Sequence, residues 1–319
     1  MRALFWDGTA ARVVDRPRPA TQSRMALVRV RLAGICNTDL ELTKGYMNFR
    51  GVLGHEFVGT VEDGPPDWQH KRVVGEINFC CGACPLCLRG LQRHCPTRRV
   101  MGILDADGAF AEFVVVPVAN LHPVADTIPD DAAVFTEPLA AACEILEQVH
   151  VRPGTDTVVL GDGKLGSLVA QVLYQAGAHV LAVGKHEEKL DVLRRRGITT
   201  VTVQNWSGAA ADLVVEASGS PAAFATAVKA TRPRGTLILK STCAADAQVN
   251  LAPLVINEIT VVGSRCGSFP PALRALTTGS IDVRSLISAR LPLSEGVQAL
   301  QHAASPGVLK VLLEISAES

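Results

Sequence analysis

The feature that most constrains this chain is Gly161-Asp162-Gly163-Lys164-Leu165-Gly166. This glycine-rich turn is set between an apolar run, Thr157–Leu160, and a stretch of helical period, Lys164–Ala176. A strand that passes through a tight turn into a helix rejoins its sheet as a parallel neighbour, because the helix is the crossover that parallel pairing needs. The segments downstream keep the same rhythm. His179–Val183 is expected as a strand, Glu187–Arg196 as a helix, Leu213–Glu216 as a strand, Pro221–Ala230 as a helix, and Thr236–Leu239 and Ile259–Val262 as further strands. Strands alternating with helices of this length specify βαβ units and a doubly wound parallel sheet, which places the chain in the α/β class.

The turn also carries chemistry. In a G-x-G-x-x-G pattern the first glycine, here Gly161, permits the tight turn, and the second, Gly163, lets the backbone approach a pyrophosphate. The third, Gly166, lets helix and strand pack closely. The helix opened by Lys164 and Leu165 offers free N–H groups and the positive end of its dipole to the phosphates. A βα turn without a ligand would use the same glycines, but a strand before and a helix after favour a dinucleotide. Users of NAD place an acid at the end of the second strand, on the ribose 2′-hydroxyl. Here that end reads Val183-Gly184-Lys185-His186. The acid is missing and a cation follows, so Lys185 and His186 are expected to attract a 2′-phosphate, and NADP(H) is expected in preference to NAD(H).

Residues 1–135 have a different texture. Val28, Val30 and Leu32 alternate with Arg29 and Arg31, and Phe57–Glu62, Arg72–Ile77 and Phe113–Pro117 are short apolar runs punctuated by Gly, Pro and Asp. A β-rich region of short strands is expected. A helical stretch follows from Ala132 to Val149, capped by Asp130 or Asp131, with Pro138 as a break inside it. Val308–Ile315 closes the chain as a strand. Within the β-rich region Cys81, Cys84, Cys87 and Cys95 form C-x2-C-x2-C-x7-C. Four thiolates this close wrap one zinc tetrahedrally and leave no open position, so the site would be structural. An iron–sulfur motif ending in Cys-Pro wants three residues before its last cysteine, not seven, so zinc is favoured. Cys80 reads as a small buried residue.

Composition removes several classes. Lys plus Arg and Asp plus Glu are both 31, so the basic excess of a phosphate-neutralising nucleic-acid binder is absent. Aromatic residues are only 4%, too few for a base-stacking platform. The hydrophobic fraction of 48% excludes a disordered chain. Nine cysteines, an odd number without a secretion signal, argue for metal binding or catalysis rather than a disulfide framework. With neither a signal peptide nor an apolar membrane span, a cytoplasmic protein is expected.

Three further segments are weak individually: Gly34-Ile35-Cys36-Asn37-Thr38-Asp39, Gly54-His55-Glu56 and Thr136-Glu137-Pro138-Leu139-Ala140. Cys36 alone could be a small buried residue, His55 a satisfied core histidine and Glu137 a helix-surface charge. In this order, beside a four-cysteine lobe and a glycine-rich βα turn, they are no longer independent. The chain resembles the zinc-dependent medium-chain alcohol dehydrogenases over nearly all 319 residues. The matching stretches are GICNTDL, GHEFVGTV, CGACPLCLRGLQRHC, GAFAEFVVVP, FTEPLAAAC, VVLGDGKLG, EASGS and VLKVLLEI.

The resemblance implies a GroES-like β-rich catalytic domain from 1–139 and 279–319 and a Rossmann domain from 140–278. It implies that Cys36, His55 and Glu137 hold a catalytic zinc, as in the polyol and threonine dehydrogenase branches. Glu56 would be a ligand or a neighbour exchanging with water or substrate, so two zincs per chain are expected. Asp39 would orient a ligand, and Thr38 would begin a proton relay from the substrate oxygen. Lys310 matches a basic position that reaches the cofactor in some members, and otherwise reads as a surface charge on an edge strand. Asn37 stands where the family usually has Gly, and the loop between Cys36 and His55 is short. Asn37, Tyr46, Phe49, Trp68 and Arg265 are candidate pocket residues.

The implied reaction is hydride transfer between NADP(H) and a secondary alcohol or polyol, or the corresponding carbonyl. The alternatives are an NADPH-dependent carbonyl or enone reductase and a non-enzymatic dinucleotide-binding zinc protein. The expected partners are a small-molecule substrate and a second copy of the chain, as a homodimer or homotetramer, with neither nucleic acid nor membrane.

Overall fold

The computed structural model describes residues 1–220, 222–242 and 249–315. Its contacts divide the chain into two compact units. The first holds Met1–Glu137, Phe269–Thr278 and the chain from Ile287 onward, and the second holds Pro138–Ser268 and Gly279–Leu286.

The first unit is β-rich, as its punctuated apolar runs require. Its largest sheet is built on β1 (Met25–Gly34), which is followed by α1 (Asn37–Leu42) and then by β2 (Glu56–Asp63). Across this seven-stranded sheet the order is Leu121–Pro123, Arg72–Gly75, β2, β1, Lys310–Glu314 and Ile287–Pro292, with Phe113–Pro117 also paired to β1. The alternation expected for β1 is present: Val28, Val30 and Leu32 are buried and Arg29 is exposed. The antiparallel register pairs Gly34 of β1 with Glu56 of β2 and with Leu312 of the C-terminal strand. Residues just after β1 and around the start of β2 are therefore brought to one end of the sheet, although about twenty residues separate them in the chain.

The second unit begins with the long helix α2 (Thr136–Gln148), whose first two residues cluster with the first unit. Pro138 was expected to break a longer helix, and instead it lies in the first turn of α2, where a missing N–H costs no hydrogen bond. The break falls at Val134 and Phe135, after the short helix Asp130–Ala133, and Thr136 Oγ1 donates to Ala133 O at 2.6 Å across it.

There follow β3 (Asp156–Leu160), α3 (Lys164–Gln175), β4 (His179–Gly184), α4 (Glu187–Arg194), β5 (Thr199–Thr202), β6 (Ala211–Glu216), β7 (Thr231–Leu239) and β8 (Thr260–Gly263). They form a fully parallel sheet in the order β5-β4-β3-β6-β7-β8. The winding direction reverses between β3 and β6, so the crevice of this doubly wound sheet opens beyond the carboxyl end of β3, where Gly161 stands. Val158, Leu160, Val183, Val214 and Leu237 fill the core of this sheet. Just past β7, buried Lys240 donates from Nζ to Ala141 O, Arg265 O and Ser264 Oγ, at 2.7, 2.8 and 3.1 Å.

Three readings of the sequence need correction here. β5 was not anticipated, because a short Thr-Thr-Val-Thr run at a sheet edge carries almost no hydrophobic signal. The helix expected from Pro221 runs Ala223–Ala230, and Pro221 itself lies outside the described residues. Phe269–Thr278, assigned to the Rossmann domain, is a helix that clusters with the β-rich unit, whereas 279–286 clusters with the parallel-sheet unit. The terminal residues 316–319 of the expected closing segment also lie outside the described residues.

Candidate active site

The register of β1 against β2 brings Cys36, His55 and Glu56 together. One ligand atom from each lies within 4.8 Å of the others, in a half-buried to buried setting. Cys36 immediately precedes α1, and its N–H donates to Asp39 Oδ2 at 2.8 Å, which ties the start of the helix to its third residue. Asp39 is fully buried, and its other oxygen accepts from Gly54 N at 3.3 Å and stands 3.3 Å from His55 Nδ1. The second approach is close enough for charge attraction but is not aligned as a hydrogen bond. Asp39 therefore organises both segments that supply donors. Gly54 adopts φ +97°, and a Cβ there would lie 2.2 Å from Phe110 Cδ1, so the turn before His55 requires glycine.

Burial opposes charge on His55, but Asp39 and then Cys36 outweigh it and hold the imidazole well above its usual range. Surroundings that favour a proton on His55 also favour a divalent cation. Glu56 is equally buried. Its Oε2 pairs with Lys310 Nζ, and its Oε1 has no hydrogen-bond partner among the described residues. A thiol, an imidazole and a carboxylate with one orphaned buried oxygen form a donor set suited to zinc.

The remaining candidates fall as follows. Thr38 Oγ1 is 3.7 Å from Cys36 Sγ, beside the cluster. Glu137 is half-buried in the first turn of α2 and is not among the three clustered residues. Lys310 is neither a surface charge nor on an edge strand. It is fully buried between neighbouring strands, donates to Ile35 O at 3.3 Å as well as to Glu56, and lies 5.5 Å above the Phe135 ring. Asn37 opens α1, Tyr46 is half-buried in the turn Tyr46–Asn48, and buried Phe49 follows it. Trp68 stands in the hairpin beyond the far end of β2, roughly 20 Å along the strand from Glu56, so it does not belong with this cluster. Arg265 belongs to the second unit, where its carbonyl receives Lys240.

Cys81, Cys84, Cys87 and Cys95 form the second cluster. The Sγ separations are 3.6 Å for Cys81–Cys95 and 4.0 Å for both Cys81–Cys87 and Cys84–Cys95. A tetrahedron with zinc–sulfur bonds of ~2.3 Å has edges of about 3.8 Å, so the spacing fits zinc and is far too long for a disulfide. A hydrogen bond from Thr97 pulls the Cys95 thiol down to about 6, while burial pushes Cys87 up to about 12. Cys80 is half-buried and stands outside this cluster.

The glycine-rich turn has the geometry its motif requires. Gly161 adopts φ +127°, and a Cβ there would come within 2.6 Å of Ala217 O. A Cβ on Gly166 would lie 2.1 Å from Gly161 O. Around Gly163, by contrast, an added Cβ would meet nothing within 4 Å, and this glycine caps α3 without any side-chain bond to the helix N–H groups. Lys164 and Leu165 open α3, so the positive end of the helix and the open space at Gly163 coincide where a pyrophosphate would sit.

Sequence reasoning passed over Asp162. Its Oδ2 accepts from Lys185 N at 2.6 Å and His186 N at 2.7 Å, and it lies 2.9 Å from His186 Nδ1. Burial opposes ionisation, but the amides of His186 and Lys185 and the His186 ring hold this carboxyl below its usual range. The available signal was an acid between the first two glycines of the motif.

Two family models match the chain. The alcohol dehydrogenase GroES-like domain matches residues 22–126, and the zinc-binding dehydrogenase model matches 165–278. The chain is 31% identical to D-altritol 5-dehydrogenase of Agrobacterium fabrum over 85% of its own length and 86% of that protein. It is 28% identical to 2-dehydro-3-deoxy-L-galactonate 5-dehydrogenase of Pseudoalteromonas atlantica, covering 96% of each. It is 26% identical to a candidate zinc-binding dehydrogenase of Sinorhizobium meliloti 1021 solved with NADP bound, with a TM-score of 0.90 over 98% of each chain. Two matching domain models in the right order, and a relative above 30% identity across most of both chains, place this protein in the zinc-dependent medium-chain alcohol dehydrogenase superfamily.

Proposed function

We propose that this alcohol dehydrogenase transfers a hydride between a nicotinamide dinucleotide and a secondary alcohol of the polyol or sugar-acid class. The observation that carries the reading is the buried Cys36–His55–Glu56 cluster with its orphaned carboxylate oxygen. The relatives named for 5-dehydrogenation of a sugar alcohol and a sugar acid support the substrate class. Carbonyl reduction is the same chemistry in reverse.

When bound, zinc supplies a Lewis acid for the substrate oxygen and the dinucleotide supplies the hydride acceptor or donor. The chain's own residues do the rest. Asp39 fixes the Cys36 backbone and the segment carrying His55. Lys310 pairs with Glu56 Oε2 and so holds the carboxylate with Oε1 left for a metal ion. The Thr38 hydroxyl, beside Cys36, is placed to take the proton of a bound alcohol. Glu137 is proposed as a further ligand from the Thr-Glu-Pro-Leu-Ala resemblance, and Cys81, Cys84, Cys87 and Cys95 as the holders of a second, structural zinc.

Gly161, Gly163, Lys164, Leu165 and Gly166 are proposed to bind the pyrophosphate. Lys185 and His186, and the relative solved with NADP, support NADP(H). The Asp162 carboxylate, seated on the backbone N–H groups of those two residues and on the His186 ring, favours NAD(H).

No helix among the described residues is long and apolar enough to cross a membrane. No disulfide joins cysteines among the described residues, which supports a reducing, cytoplasmic setting. Strand β8, at the sheet edge, supports pairing with a second copy.

The test is elemental zinc per chain on protein purified without chelator, followed by a screen of NAD⁺ and NADP⁺ reduction with polyols and sugar acids. Two zincs and turnover are expected. One zinc that stays at one after incubation with the metal would reject the catalytic site.

A further inference from the structure

The end of β4 contains the answer to the dinucleotide question in an unexpected form. No acid stands at Gly184, Lys185 or His186, yet a carboxylate is bonded to the backbone there. Asp162 enters from the glycine-rich turn, and its Oδ2 takes both the Lys185 and the His186 backbone N–H groups and the His186 ring nitrogen. The strand has made room for it. A Cβ on Gly184 would lie 2.5 Å from Asp162 Cβ and 2.8 Å from its Oδ2, so a side chain at Gly184 and the observed Asp162 exclude one another. The Asp162 side chain is only 12% exposed, and the His186 side chain 36%.

A 2′-phosphate needs donors that are free when the ligand arrives. The two backbone amides and the imidazole at the end of β4 are already bonded to an anion, although the Lys185 bond is made by its backbone N–H and not by Nζ. A second anion brought beside a half-buried carboxylate meets like-charge repulsion. A ribose 2′-hydroxyl has the opposite requirement, an acceptor. Asp162 retains one, because among the described residues its Oδ1 accepts no hydrogen bond.

We infer that Asp162 is the residue that selects the dinucleotide, accepting the ribose 2′-hydroxyl of NAD(H) through Oδ1 and disfavouring the 2′-phosphate of NADP(H) by its like charge and its hold on the two backbone amides and the His186 ring. The inference rests on the dinucleotide-binding reading above and reverses the preference expected from Lys185 and His186. In this arrangement Lys185 and His186 hold the selector in place through their backbone N–H groups and the His186 ring.

The experiment is a fluorescence titration of zinc-replete protein with NADH and NADPH, which reads Kd without turnover. Wild type should bind NADH at least about tenfold tighter than NADPH, the scale of one unfavourable charge contact in a partly screened site. Asp162→Ser, which frees the donors, should lower that ratio about tenfold or more. Asp162→Asn, which keeps the shape and loses the charge, should fall between. An unchanged ratio in both variants would overturn the inference. If the variants fail to fold, wild type decides alone: NADPH binding as tight as NADH would sink the inference and leave the dehydrogenase reading intact. Binding of neither dinucleotide would sink both.

Discussion

Lys310 and Glu56 form an ion pair in which each side chain is about 1% exposed, and they reach it from strands more than two hundred residues apart. Gly34 makes the pairing possible, since a Cβ there would lie 2.4 Å from Glu56 Oε2. An ion pair buried this completely adds little net stability when intact, but breaking it is expensive because one charge is left without a partner. Lys310→Met should therefore destabilise the protein by about 3–5 kcal/mol in urea unfolding. The double variant Lys310→Met with Glu56→Gln should recover most of that loss. A single variant as stable as wild type would show that Glu56 finds another counter-charge.

Asp39 touches the backbone of Cys36, the backbone of Gly54 and the edge of the His55 ring. Asp39→Asn retains the shape and removes the negative charge. Groups that orient metal ligands in this way contribute about 10–100-fold in metal affinity. Competition against a chelator should show a loss of that size at the proposed Cys36–His55–Glu56 site, with the proposed four-cysteine site unchanged. Equal weakening of both sites would point to general misfolding instead.

The two inner glycines of the turn separate structure from binding. An alanine methyl at Gly166 would meet Gly161 O at 2.1 Å, whereas at Gly163 it would meet nothing within 4 Å. Gly166→Ala should lower thermal stability, because the start of α3 must move away from its strand. Gly163→Ala should leave stability within about 0.5 kcal/mol of wild type. It should still weaken NADH binding about tenfold or more, by filling the approach of the pyrophosphate. Thermal melts and dinucleotide titrations on the same two proteins read the contrast directly, and full affinity in Gly163→Ala would remove the phosphates from this turn.

The Asp162 carboxyl is held below its usual range, so its contribution to stability has a defined pH window. A depressed folded-state value means that the contribution is complete above the unfolded value, ~3.9, and is lost as pH falls through the lower folded one. The stability difference between wild type and Asp162→Asn should therefore be constant from pH 6 to about 4.5 and narrow below about 4. Urea melts at stepped pH measure it. A gap that widens on acidification would show that Asp162 is protonated in the folded protein.

The sequence by itself determined what repeats locally or is written as a contiguous motif. The alternation of Val28, Val30 and Leu32 marked a strand, and the order of strand, glycine turn and helix around Gly161 marked a parallel sheet. The spacing of Cys81, Cys84, Cys87 and Cys95 marked four thiols that the fold does bring into one cluster. These features are legible because 2.0- and 3.6-residue periods and short loops act within a few residues of chain. Strand β5 left no such trace, because at a sheet edge four polar and β-branched residues need not alternate.

What only the tertiary structure decided is which side chains meet across distant segments. Lys310 looked like a surface charge because its neighbours in sequence say nothing of the two strands that flank it, and sheet register alone places it against Glu56. No acid stands directly after Val183, and only the packing shows that the Asp162 carboxylate of the preceding βα turn is bonded to the backbone of Lys185 and His186. The charge a ligand meets is the sum over all groups packed around a site, and that packing is set between elements rather than by order along the chain.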